Sequence, residues 1–153
     1  MNFHSEASAC HLPVPVSLFT SHNACSCPFE INNHGAFNTE FPNAIGSVAY
    51  QVACHQRVQK IGLKTRDVLA LVADSDIVAY ERCSGHDGTY AVKSETRAKS
   101  VKIARPTVKK VDAQAPDHLI SDCPMAGAQI ADLAESVDTA LHPMTLLRMA
   151  YGF

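Results

Sequence analysis

The segment Gly46–Cys54, GSVAYQVAC, is short, apolar and rich in β-branched residues, and it runs directly into Arg57–Val72, where Val58, Ile61, Val68, Leu69 and Val72 recur at helical spacing. A strand followed by a helix is the unit from which parallel sheets are built. The same alternation repeats downstream. Asp76–Cys83 (DIVAYERC) reads as a second strand, and after the turn 84–88 a long helical stretch carries Val101, Ala104, Val108 and Val111 on one face. Pro106 is expected to kink or split that helix, because it removes a backbone donor and crowds the preceding turn. Asp117–Cys123 (DHLISDC) is the third strand. Ile130, Leu133, Ala134 and Val137 mark a further helix, and His142-Pro143 opens a last one through Tyr151. The expected fold is α/β, a small parallel sheet covered by helices.

Upstream of residue 45 the pattern dissolves. The first 43 residues hold four of the eight prolines and show neither helical nor strand periodicity, so 1–33 is read as an irregular or disordered segment and 34–153 as the folded domain. Residues 1–56 contain no Lys or Arg, and all 13 basic residues lie from Arg57 onward, which suggests a boundary near that point. At 153 residues and 46% apolar content the chain can bury one core. Basic and acidic residues nearly cancel, 13 against 15, which argues against a nucleic-acid binder or one held by anionic lipid. No apolar run is long enough to span a bilayer, and Met1–Cys27 lacks a basic signal-peptide start, so a cytoplasmic protein is expected. Its six cysteines then point to metal or redox chemistry rather than to disulfides.

The cysteines fall at informative places. Cys54, Cys83 and Cys123 each close an expected strand, and the ends of parallel strands share one sheet edge, where open α/β folds build their sites. Three adjacent strand ends span on the order of 10 Å, a gap that an iron–sulfur cluster fits. The loops that follow, His55-Gln56, Ser84-Gly85-His86 and Pro124-Met125-Ala126-Gly127, leave backbone N–H groups free to bond sulfur or an anion. Buried, inert cysteines are the plainer alternative.

Four segments, VACHQRVQKIGLKTRDVL (52–69), YERCSGHDGTYAVK (80–93), SDCPMAG (121–127) and the ending HPMTLLRMAYGF, resemble in order the cysteine-rich CCG-type domain. That domain occurs in the cysteine-rich subunits of heterodisulfide reductase and of the anaerobic glycerol-3-phosphate dehydrogenase, and in related iron–sulfur oxidoreductases. The resemblance covers about His34 to Phe153. It matches Cys54 to the first family cysteine, Cys83 and Gly85 to the ends of the Cys-Cys-Gly, and Cys123 to the start of the final Cys-x-x-Cys. Ser84 and Ala126 stand where two further cysteines would be.

The resemblance implies a 4Fe-4S type cluster held by Cys54, Cys83 and Cys123, with His86 the leading candidate for a fourth ligand and His55 or Ser84 behind it. It implies an electron-transfer component rather than a catalytic one, working with other oxidoreductase subunits and reaching the inner membrane, if at all, through them. Because such proteins usually carry two of these domains, the chain resembles the second half of a longer protein or a fragment with an unrelated start. The competing expectation is a cluster-free remnant that packs against partner subunits.

Other chemistries are weaker. The sixth residue after Cys83 is Thr89, not the arginine of a phosphatase loop, and Gly85–Gly88 supplies only part of a dinucleotide fingerprint. A Cys83 nucleophile activated by His86 is the enzymatic competitor. Cys10, Cys25 and Cys27 lie outside the resemblance, and Asp87 and Asp122 are expected to cap turns or helices. Between Lys93 and Lys110 seven basic residues face one acid, Glu95, a solvated helix face or a docking patch for an acidic carrier such as a ferredoxin.

Overall fold

The computed structural model describes residues 38–153, so the segment 1–33 and Cys10, Cys25 and Cys27 lie outside the described residues. Strands β1 (Ser47–Gln51), β2 (Asp76–Tyr80), β3 (His118–Ser121) and β4 (Ala140–Leu141) form one sheet in the order β2-β1-β3-β4. Every pairing is parallel. Helices α1 (Cys54–Gln59), α2 (Lys64–Leu69), α3 (Ser94–Gln114), α4 (Pro124–Ala131) and α5 (Pro143–Ala150) fill the connections.

The two-residue period of β1 explains the layering. Val48, Tyr50 and Val52 point to one face, where they join Val68 and Leu69 of α2 and Leu146, Leu147 and Ala150 of α5. Ala49 points to the other, against Ala104, Val108 and Val111 of α3 and Ile130 of α4. Buried on both sides, β1 reads as a continuous apolar run. From β1 the chain steps outward to β2, crosses back by α3 to β3 and continues to β4, so the winding reverses between β1 and β3. Ligand crevices in open parallel sheets form at such a reversal, outside the carboxyl ends of the strands.

Several expectations need correction. The charge boundary near Arg57 is no domain boundary: β1 lies inside the sheet, Asn43 N donates to Ala150 O at 3.1 Å, and the ring of Phe41 packs on Tyr151. The helix expected over 57–72 is two helices, separated where Lys60 and Gly62 take left-handed φ of 56° and 79°. Val58 consequently lies 82% exposed instead of in the core stripe.

Pro106 does not split α3, which runs unbroken for 21 residues. Its ring is exposed, and the carbonyl deprived of a donor belongs to exposed Lys102, where water can replace the bond. The helix expected around 130–137 starts earlier, with Pro124 in its first turn, and stops at Ala131. Beyond it Asp112 of α3 accepts from Glu135 N, Ser136 N and Ser136 Oγ, and these bonds hold the chain out of the helix. Strand β4, only two residues long, has no counterpart in the sequence pattern. The last helix opens as expected, His142 Nδ1 accepting from Met144 N one position before Pro143.

Candidate functional site

All three cysteine-bearing strands are immediate neighbours, with β1 between β2 and β3. The strands end two or three residues earlier than expected, at Gln51, Tyr80 and Ser121, so the cysteines sit in the turns above the sheet edge. Cys54 is the first residue of α1, Cys83 lies in the loop after β2, and Cys123 is the N-cap residue of α4. All three are free thiols; Cys54 and Cys83 are exposed and Cys123 half-buried.

Cys54 lies near enough to the Cys83 and Cys123 thiols to feel them electrostatically, Cys83 the more strongly. Partial burial raises the Cys54 pKa most, the neighbouring sulfurs raise it further, and the Arg57 guanidinium opposes them. Cys83 Sγ accepts the backbone N–H of Gly85 at 3.4 Å.

The Cys83 loop is fastened to α3. Ser100 Oγ donates to Gly85 O at 2.7 Å, Thr107 Oγ1 donates to Cys83 O at 3.1 Å, and Gln129 Nε2 of α4 donates to Ser100 Oγ at 3.1 Å. Gly85 has a φ of +78°, and a side chain there would run into the backbone of Ser100 and Ala104. On the other side, buried Gln51 donates to Val52 O and Arg82 O and accepts from Ser121 Oγ, whose oxygen also receives Cys123 N–H. The ends of β1, β2 and β3 are thus tied into one platform.

A second buried network lies beneath Cys54 and Cys123. Tyr50 Oη lies 2.6 Å from Asp122 Oδ2 and 2.9 Å from Gln56 Oε1, and with one proton to give it donates to the charged, closer partner. Thr65 Oγ1 of α2 donates to the same carboxylate. Asp122 is therefore no helix cap; the residue at that position is Cys123, and no side chain caps the helix. Burial first, and the Asp122 charge and hydrogen bond next, push the Tyr50 phenol well above its ordinary value near 10.

The sign of the linkage follows. Below about pH 10 both states hold the phenolic proton; above it the unfolded chain loses a proton that the fold retains, so stability falls by up to about 1.4 kcal/mol per pH unit for this group. Alkaline unfolding followed by circular dichroism is expected to steepen above pH 10. In Tyr50→Phe that slope should lose one proton's worth.

Of the expected ligands beyond the cysteines, His86 is half-buried, with its N–H donating to Ser84 Oγ at 3.3 Å. It lines a shallow groove with Val92, Arg97, Met125 and Asp132. Ser84 is buried with its oxygen committed to that bond, and Ala126 is buried and offers no donor atom. His55 lies exposed in α1. Among the described residues no group of three or more His, Cys, Asp or Glu is gathered closely enough to hold a single metal ion. The three thiols share a rim rather than one coordination shell.

Arg57 is the residue that the sequence pattern left unnoticed. Three positions after Cys54 on α1, it lines a groove with Val52, Gln56, Lys60 and Leu63 and a second with Arg82, Cys83 and Thr107. Its i, i+3 spacing from Cys54 was the available signal. Of the basic residues in 93–110, Arg97 is engaged, bonding Gln129 Oε1 at 2.7 Å and Asp132 Oδ2 at 2.5 Å. Lys99, Lys102 and Lys109 are exposed on α3 together with Ile103 and Pro106.

Fold and site define a doubly wound α/β protein with a three-cysteine rim at the point where its winding reverses. No family model, curated protein or solved structure matches the chain.

Proposed function

We propose that the chain is an iron–sulfur electron-transfer module of an oxidoreductase, of the CCG type that its sequence resembles. The observation that carries this reading is the cysteine rim: Cys54, Cys83 and Cys123 follow the ends of the adjacent parallel strands β1, β2 and β3 on one sheet edge. Bound there, a cluster would supply a one-electron acceptor and donor. Cys54, Cys83 and Cys123 would hold it as thiolates, so Cys54 must give up its proton on loading and uptake releases acid. Gly85 N–H and the Arg57 guanidinium would offset the negative charge gathered on the rim.

The partner is a further oxidoreductase subunit or an acidic carrier of the ferredoxin kind. Exposed Ile103 and Pro106 line the Cys83 groove, and Lys99, Lys102 and Lys109 stand beside them on α3, so a partner steered by charge would arrive next to the rim. Among the described residues no helix is long and apolar enough to cross a membrane, which is consistent with membrane contact only through partners. The second reading, a cluster-free remnant that packs against those subunits, is favoured by Ser84 and Ala126, which remove two donors.

Anaerobic reconstitution with ferrous iron and sulfide separates the two. The full chain is expected to take up a brown chromophore with acid-labile sulfide and to lose it in air, since three thiolates leave one iron weakly held. Cys83→Ala should abolish uptake, whereas His86→Ala should alter the spectrum only if it supplies the fourth ligand. No chromophore in the wild-type chain would return the assignment to the remnant, and one that persists in Cys83→Ala would overturn the rim as the place where iron and sulfide bind.

A further inference from the structure

We propose that the free edge of β2 is an interface for a second copy of this chain, the two β2 strands pairing antiparallel about a two-fold axis so that the two sheets become one. The inference goes beyond the electron-transfer reading and does not rest on it.

Strand β2 ends the sheet and is paired with β1 alone. Asp76 N donates to Gly46 O and Tyr80 O accepts from Val52 N, so Asp76, Val78 and Tyr80 turn their backbone groups toward β1. By the alternation of a strand, the N–H and C=O groups of Ile77 and Ala79 point the other way, and among the described residues no hydrogen bond reaches them. Ile77, Val78 and Ala79 are half-buried, where Val48 to Gln51 of β1 are buried. Apart from Asp76 the strand carries no charge, and it has no Pro, so it lacks the devices that keep exposed edges from pairing.

This edge is complementary to itself. With Val78 of both copies on the axis, each strand lies along the full length of the other, and Ile77 exchanges both backbone bonds with Ala79 of the second copy, as Ala79 does with Ile77 of the second copy. Charge agrees with that register. Asp76, exposed, comes opposite Tyr80 of the second copy, and exposed Lys110 of α3 stands beside that ring, its Nζ 5.8 Å from the centroid. Each copy thus offers a carboxylate where the other offers an ammonium, and the symmetry makes the contact twice. A parallel side-by-side pairing would instead bring Asp76 against Asp76. Because the strands run in opposite directions, the two cysteine rims face opposite ends of the joined sheet. Each rim stays open to its own partner.

The test uses the full chain with reductant present, so that no disulfide contributes to association, and its outcome does not depend on whether a cluster is bound. Sedimentation equilibrium over a range of concentrations is expected to show a monomer–dimer equilibrium. Ala79→Pro removes an N–H that the fold does not use and should leave a monomer with unchanged circular dichroism. Asp76→Lys and Lys110→Glu should each weaken association roughly tenfold or more, since either replaces two attractive contacts by two repulsive ones, and combining them should restore it. A chain that stays monomeric at every concentration, a dimer that Ala79→Pro leaves intact, or a double variant no better than the single ones would overturn the proposal. A monomer whose Ile77 and Ala79 amides resist hydrogen exchange would overturn it in favour of residues 1–37 as the segment that takes the edge.

Discussion

Gly85→Ala is expected to destabilise the domain by about 3 kcal/mol or more, from two separable causes. A non-glycine residue at φ +78° costs on the order of 1 kcal/mol from left-handed backbone alone. The added methyl would also be driven into the carbonyl of Ser100, with Ala104 N at 3.2 Å, and these are atoms of a helix rather than yielding side-chain ends. Moving the loop to relieve the clash breaks the bonds from Ser100 Oγ to Gly85 O and from Thr107 Oγ1 to Cys83 O, each about 1–3 kcal/mol when a buried group is left without a partner. Gly88→Ala is the matched control. It too has positive φ, 52°, but open space around it, so only the backbone cost of about 1 kcal/mol applies. Urea titration of the two variants checks the difference. Equal losses would show that the Cys83 loop is not fastened to α3, and the positioning of Cys83 would lose its basis.

Asp122→Ala should cost about 2–3 kcal/mol, because it leaves the Thr65 hydroxyl without its acceptor and takes from Tyr50 its charged partner, leaving only Gln56 Oε1. Tyr50 is fully buried and Thr65 is 1% exposed, so neither can turn to water when the carboxylate goes. Asp122→Asn keeps an acceptor for one of them and should lose about half as much. Tyr50→Phe removes its donor cleanly and leaves Asp122 its Thr65 partner and partial access to water, so about 1 kcal/mol is expected. Chemical denaturation of the three variants should rank them Ala, Asn, Phe in decreasing damage. A Phe variant as damaged as the Ala variant would place the stabilisation in the phenol's packing rather than in the carboxylate.

The same network shows why some of the site escaped the sequence. Asp122 meets Tyr50 and Thr65 from 72 and 57 residues away. An Asp beside a strand end looks like a cap, and only the neighbouring positions of β1, α2 and β3 turn it into the acceptor for buried hydroxyls. Arg57 was similarly hidden, since its place between two grooves depends on the turn at Lys60 that ends α1.

What the sequence determined by itself is the alternation of strand and helix and hence the α/β class, because two-residue and helical periods are local properties of the chain. It also put Cys54, Cys83 and Cys123 at the carboxyl ends of the three main strands, and the structure moves them two or three residues beyond. Tertiary structure decided the rest. The strand order β2-β1-β3-β4 brings those three strands side by side, and nothing in their separate periods states that order. The exposure of Val58, the continuity of α3 through Pro106 and the early end of α4 were likewise set by where solvent and neighbouring elements fell. The placement of Cys83 is of that kind: Gly85 lets its loop lie against α3, a close approach that depends on two backbones meeting in space.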